Sequence, residues 1–218
     1  MIELLSHDGS DNSIANTARV SFAGEDWLHL PEGYTEKKRD GLITYLAKHR
    51  HMTPFRHNSI TIRCEMPIFI ARQLGKHQAG LSWNEVSRRY VTEDIKFHRP
   101  NSWRASPEGS IKQGSAGVHE RSADFQYYYN GFVDNALALY NSMIDKGVAP
   151  EQARMVLPQS MMTSWVWTGN LLAMAHIYNE RSAAGAQLEV REFASALNDV
   201  IKPLFPVSWA ALTGGRDE

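Results

Sequence analysis

Residues 72–90, RQLGKHQAGLSWNEVSRRY, follow directly on the apolar run MPIFIA at 66–71. Arginine, lysine, histidine, glutamate and amide side chains are interleaved there with Leu81, Trp83 and Tyr90. Ser82 followed three residues later by Glu85 has the spacing of a capping box, in which each side chain satisfies a free backbone N–H at a helix start. Capping does not account for Lys76, His77, Ser87, Arg88 and Arg89. A helix start ringed by cations is a ready anion site, because free N–H groups and guanidinium forks both favour phosphate oxygens. Two readings therefore stand side by side: a capped helix start with a solvated face, and the wall of a phosphate pocket.

Working outward, Pro67 suits the first turn of a helix over PIFIARQLG, and the preceding SITIRCEM alternates Ile60, Ile62 and Cys64 against polar neighbours as a half-buried strand does. Ile2 to Leu5 reads as a short strand, Ser10 or Asp11 as the cap of a helix reaching Val20, and Thr35 as the start of another through Leu42, Tyr45 and Leu46. RASPEGSIKQGSAGV at 104–118 is rich in Gly, Ser and charge and reads as a mobile loop. A long amphipathic helix follows, with Phe125, Tyr128, Tyr129, Phe132, Ala136, Leu139, Tyr140 and Met143 at helical spacing. Pro150 opens a short helix over PEQARMVL, TSWVWTG alternates as a strand, NLLAMAHIYNER is a largely buried helix and LEVREFASALNDVI an amphipathic one. Strands and helices do not alternate regularly, which disfavours a doubly wound parallel sheet. The expectation is an α+β fold, one domain over 1–218, with a central, largely antiparallel sheet flanked by long helices.

A chain of 218 residues, 43% hydrophobic and 22% charged, has the composition of one soluble globular domain. A formal net charge of −1 removes the bulk attraction to polyanions that a general nucleic-acid binder has, so any anion site is a local cluster. The single Cys64 excludes an internal disulfide framework and suits a reducing compartment. MIELLSHDGSD lacks the pattern of a signal peptide, and no apolar run approaches membrane-spanning length. A cytoplasmic protein with neither nucleic acid nor membrane as partner is expected.

Two further clusters and one arginine bear on chemistry. KHRHMTPFRH at 48–57 carries His49, His51 and His57, but two of these lie at a predicted helix end, where imidazolium complements the dipole, and no HExxH occurs, so no metal is expected. Thr53-Pro54 reads as a turn exposing a hydroxyl. On the helix from Asn170 to Arg181, these two residues share a face about 16 Å apart along the axis, spaced either to grip an elongated ligand or simply to end a core helix in solvent. His176 falls on a different face. Arg154, followed by apolar Met155, Val156 and Leu157, needs an anionic partner if it is buried. No G-x-G-x-x-G, P-loop or G-x-S-x-G motif occurs, and Cys64 lies inside a predicted strand, a poor place for an exposed nucleophile. The clusters suit phosphorylated, nucleotide-like ligands and offer no obvious covalent catalyst.

The same residues resemble the flavin-dependent thymidylate synthases. That family carries Arg-His-Arg, seven residues, then Ser within N-E-x-S-x-R-Y. Here Asn84-Glu85-Val86-Ser87-Arg88-Arg89-Tyr90 is intact, while Lys76-His77-Gln78 replaces Arg-His-Arg and eight residues precede Ser87. Ala18-Arg19-Val20-Ser21-Phe22, Thr53-Pro54-Phe55 with His57, Ala71-Arg72-Gln73, the run from Ala153-Arg154 to Leu157-Pro158, Trp167-Thr168-Gly169-Asn170 and Asn179-x-Arg181 with Ala186-Gln187-x-Glu189 also occur in family order. The resemblance implies a homotetramer with shared active sites. It would bind FAD and make dTMP from dUMP, with methylenetetrahydrofolate giving the carbon and NADPH the electrons, without a cysteine nucleophile.

Carried over residue by residue, the resemblance implies that Gln73, Lys76, Glu85, Ser87, Arg88, Arg89, Arg154 and Arg181 bind dUMP, with Ser87, Arg89 and Arg154 on its phosphate and Glu85 on a ribose hydroxyl. Arg181 would act catalytically by stabilising an ionised uracil N3. Ser21, Thr53, Lys76, His77, Gln78, Glu85, Asn170 and His176 would contact flavin. Lys76 and Gln78 remove two bidentate forks. Arg56, Leu172 and Gly185 stand where the family often has glutamate, arginine and histidine, so altered, weaker flavin contacts are expected beside intact dUMP contacts. The rival readings are a nucleotide- or RNA-binding protein using 48–57 and 76–90, a metal hydrolase on the histidines, and the same fold without turnover.

Overall fold

A computed structural model describes residues 1–21, 31–109 and 114–214. Its sheet grows from the alternating segments. β1 (Ile2–Asp8), β2 (Ser59–Pro67), β3 (Leu81–Glu85) and β4 (Met162–Gly169) line up in the order β1-β2-β4-β3, and every pairing is antiparallel. In β2, Ile60, Ile62 and Cys64 are fully buried; in β4, Thr163, Trp165 and Trp167 point inward. The period-2 pattern thus turns one face of each strand to the core. β4 arrives last in sequence yet lies between β2 and β3.

The helices are α1 (Asp11–Arg19), α2 (Glu36–Lys48), α3 (Ile68–Leu74), α4 (Ser122–Asp145), α5 (Pro150–Ala153), α6 (Leu171–Arg181), α7 (Leu188–Ile201) and α8 (Pro206–Thr213). Ile60, Ile62, Trp165 and Trp167 from the sheet share one core with Met174 and Ile177 of α6 and Phe193 and Leu197 of α7. Ser10 caps α1 and Thr35 caps α2, as their sequences predict. Pro67 closes β2 and stands at the N-cap of α3 rather than within its first turn. This α+β arrangement is the expected one.

Two expectations change. Residues 82–85 are not a helix start: Ser82, Trp83 and Glu85 pair with Thr168, Trp167 and Trp165 in the β3–β4 ladder. The capping-box spacing is also compatible with a strand, and the open edge of β4 decides between them by taking up the backbone groups that a helix would use internally. In α4, Val133 and Tyr140 are buried, but Tyr128 is 66% and Phe132 57% exposed, so much of the predicted apolar stripe has no cover within one chain.

The 104–118 segment is held at its base. Arg104 bridges to Val118, and Ala105 N donates to Gly117 O at 2.8 Å. Arg104 Nη2 donates to both carboxylate oxygens of Glu189 at 2.8 and 2.9 Å, tying the base to α7. Burial opposes ionisation of Glu189, but the hydrogen bond from Arg104 and further backbone and side-chain bonds more than offset it, leaving its carboxyl below the usual range. Residues 110–113, the expected loop tip, lie outside the described residues.

The two ends of the fold are joined by one carboxylate. Asp11, 5% exposed, accepts from Val207 N and Ser208 N at 2.9 Å each, satisfying free amides at the start of α8. Asp11→Ala is expected to lower stability by about 1–3 kcal/mol, the range for leaving buried polar groups unpaired. Urea unfolding measures it, and an unchanged midpoint would show that the cap contributes nothing.

Candidate active site

Strand alternation places Trp83 and Glu85 on one face of β3, beside Thr163, Trp165 and Trp167 of β4. Trp83 stacks on Trp165 with ring centroids 4.2 Å apart and meets Trp167 edge-on at 5.2 Å. The Glu85 carboxylate is held at both oxygens: Thr163 Oγ1 donates to Oε1 at 2.6 Å and Trp83 Nε1 to Oε2 at 3.1 Å. Glu85 and Trp83 line a cavity of about 650 Å³ with Gln73, Lys76, His77 and Gln78, all brought there by α3 and the turn after it. Gln73 also lines a second cavity of about 630 Å³ with Arg104, Arg181 and Gln187. Its Oε1 is buried and has no hydrogen-bond partner among the described residues. A buried amide oxygen without a partner, on a residue that lines both cavities, is an acceptor left for a water or a ligand to satisfy.

Arg181 and His77 meet at the junction. Arg181 Nε donates to His77 Nε2 at 3.0 Å, and the His176 ring lies 5.7 Å from that of His77 at 74°. His176 and Arg181 lie on different faces of α6, yet both reach His77. The His77 pKa is lowered by burial first, then by Arg181 and His176, against a smaller opposing effect of Glu180. A neutral imidazole with an unprotonated Nε2 is what the Arg181 bond requires.

The other expected site residues line neither of these two cavities. Ser21 and Thr53 line a mainly apolar cavity of about 630 Å³ with Tyr45, His51, Pro54 and His57; Phe22, from the same sequence block, lies outside the described residues. Asn170 caps α6, its side-chain oxygen accepting from Ala173 N at 2.9 Å. Its amide abuts Gly80, where a Cβ would come within 2.9 Å of Nδ2 and φ is +74°. The loop that holds the additional residue therefore depends on a glycine. Ser87 Oγ accepts from Arg89 N and Nε at 3.3 and 3.4 Å, and the Arg89 guanidinium lies 5.0 Å from the Tyr90 ring centre. Arg88 Nη1 donates to Glu93 O at 2.7 Å, while its Nε is buried without a partner among the described residues. Arg154 is exposed, with Nε on Glu151 O at 3.3 Å, so the buried arginine considered from the sequence does not occur.

Trp83 and Arg104 line these cavities, and Thr163 backs the first through its bond to Glu85; none of the three was expected there. The Trp83/Glu85 alternation was a signal for the first, hidden by the capping-box spacing; nothing local marks the other two. The rings of His49 and His51 lie 4.3 and 6.2 Å from that of Tyr45. Among the described residues no group of three His, Cys, Asp or Glu is placed to hold a metal, and no helix is long and apolar enough to cross a membrane.

Unfolding frees His77 to bind a proton at its ordinary value of 6.5, above its folded value. It therefore contributes stability above pH 6.5 that is lost as pH falls through the lowered folded value. The thermal midpoint of the wild type is expected to fall more steeply below pH 6.5 than that of His77→Gln, which keeps an acceptor without titrating. Parallel pH profiles would rule this out.

The family described as thymidylate synthase complementing protein matches residues 3–207. A flavin-dependent thymidylate synthase of Thermus thermophilus is 33% identical over 211 residues, covering 96% of this chain and 74% of the relative. Another, of Thermosipho africanus, is 31% identical over 214 residues, covering 96% and 89%. A UMP/dUMP methylase from Streptomyces cacaoi, solved bound with 5-Br dUMP, superposes with a TM-score of 0.87 at 31% identity, covering 98% of this chain and 94% of that one. Matched along nearly its whole length in sequence and in fold, the chain belongs to the flavin-dependent thymidylate synthase family, a family of methyltransferases.

Proposed function

We propose that this protein makes dTMP from dUMP, with methylenetetrahydrofolate as carbon donor and NADPH as reductant acting through bound FAD. The observation that carries the reading is the unpartnered Gln73 oxygen between two cavities, with Glu85 in one and Arg181 in the other. An acceptor, an oriented carboxylate and a guanidinium around one junction suit the base and sugar of a nucleotide. Ser87, Arg88, Arg89 and Arg154 serve its phosphate, and the buried free N–H of Arg88 supports that use. Lys76 stands at the cavity rim as a further cation.

The chemistry of this chain's own residues is electrostatic. Arg181, held by neutral His77, stabilises negative charge on uracil N3 and so raises electron density at the carbon to be alkylated. Cys64 is fully buried and its thiol is pushed up to about 12 by burial, which supports a reaction that uses no cysteine nucleophile. Ser21 and Thr53, as hydroxyls on a largely apolar wall, fit a flat hydrogen-bonding ring such as a flavin. His77, Gln78, Glu85, Asn170 and His176 would hold its other parts. Flavin, when bound, carries the electrons that complete the transferred methyl group. Lys76, Gln78, Leu172 and Gly185 in place of more strongly binding residues lead to weaker flavin affinity than the family norm.

The Ser21/Thr53 cavity and Arg154 stand apart from the Glu85/Arg181 junction in a single chain, and α4 leaves aromatic surface uncovered. Both support a homotetramer in which copies share each site. The single cysteine and sequence pattern support a cytoplasmic single-domain enzyme. A second reading, methylation of UMP as well as dUMP, is favoured by the likeness to a UMP/dUMP methylase. The alternative of a nucleotide- or RNA-binding protein without turnover is separated by the same experiment.

FAD is added, free cofactor removed and the visible spectrum followed on adding dUMP; tritium release from labelled dUMP then reports turnover, with UMP run in parallel. A dUMP-sensitive flavin spectrum and dTMP formation are expected, and Arg181→Ala is expected to lower kcat/KM by about 10²–10³, the usual cost of removing one electrostatic stabiliser. No dTMP at saturating FAD, dUMP, folate and NADPH would leave only the fold shared.

A further inference from the structure

Glu85 is an exposed residue at a cavity rim, yet both of its oxygens are committed to donors from the sheet. The shorter bond comes from Thr163, a 4% exposed hydroxyl on the central strand. At 2.6 Å, an O–H donor to a carboxylate lies within the range of charge-assisted bonds. A buried threonine hydroxyl can often satisfy itself on a nearby backbone carbonyl. Here its proton goes instead to a side chain that reaches it across the β3–β4 seam.

A carboxylate has about four lone-pair directions. Thr163 and Trp83 each take one, on opposite oxygens, and so leave an acceptor position free on each. Because both donors are fixed in the sheet, Trp83 by its stack on Trp165 and Thr163 by burial, the two free positions point in set directions. An unheld glutamate at the same place would sample several rotamers and would lose that freedom on each binding event.

We propose that Thr163 is a positioning residue, orienting the Glu85 carboxylate so that its remaining lone pairs accept a ribose hydroxyl of the nucleotide. The inference rests on the reading of Glu85 as the sugar-binding carboxylate. Thr163 itself touches no ligand. Its role is carried by the hydroxyl alone, so serine replaces it and valine, of almost equal size, does not.

The test is calorimetric binding of dUMP and of 2′,3′-dideoxyUMP, which lacks the ribose hydroxyl, to FAD-loaded protein without folate. Thr163→Val is expected to weaken dUMP binding about tenfold and to leave the dideoxy ligand within twofold of wild type, while Thr163→Ser binds both like wild type. Thr163→Ala, which also lacks the donor, takes the place of the valine if that variant does not fold. Equal losses for both ligands, or unchanged dUMP affinity in Thr163→Val, would overturn the proposal. Glu85→Gln separates the two levels of inference. If it too fails to distinguish the ligands, the reading of Glu85 is wrong; if it distinguishes them while Thr163→Val does not, only the role of Thr163 is.

Discussion

Everything that positions this site depends on β4 being paired along both edges. Its backbone satisfies β2 on one side and β3 on the other, so its inward side chains, Thr163, Trp165 and Trp167, lie in the middle of the sheet rather than at a rim. Burying two indoles removes much apolar surface from water, and the stacked Trp83 extends that surface to the cavity. The cost is two buried indole N–H groups, of Trp165 and Trp167, with no partner among the described residues. The sheet accepts polar loss in its core and supplies a rigid wall in exchange.

Neutral partners keep the charged groups of the site in place. Glu85 lies on a short terminal strand, where a carboxylate would ordinarily wander, and donors from two strands fix it. Arg181 lies at the last turn of α6, where a long side chain would also be free, and the neutral His77 holds it. In both cases a charged group is oriented by a neutral partner, which leaves its charge available to a ligand instead of cancelling it in an ion pair. Arg104, by contrast, is spent on Glu189 and anchors a loop base.

The separation of the remaining expected residues has the same physical root. Ser21 and Thr53 are carried by the α1–α2 side, and Arg154 by a short turn after α5. The turn that carries Thr53 packs against α6, yet the cavity of Ser21 and Thr53 shares no lining residue with those of Glu85 and Arg181. The uncovered aromatic stripe of α4 shows that one chain does not satisfy all of its own apolar surface.

Much of the fold was legible in the sequence because its signals are local. Strand alternation marked β2 and β4, helical period and caps marked α1, α2, α6 and α7, and the irregular order of strands and helices excluded a doubly wound sheet. The charge of the stretch at 72–90 was legible for the same reason, and Gln73, Lys76, His77, Gln78 and Glu85 from it line one cavity. The strand within it was not: Ser82 and Glu85 satisfy a helix-start spacing, and only the free edge of a strand formed some eighty residues later makes β3 out of them. The sequence by itself determined which residue types face the core and which carry charge, since periodicity and side-chain chemistry travel with the chain. Tertiary structure alone decided who meets whom: Thr163 with Glu85, and Arg181 and His176 with His77, contacts between segments roughly eighty to a hundred residues apart that no local pattern encodes.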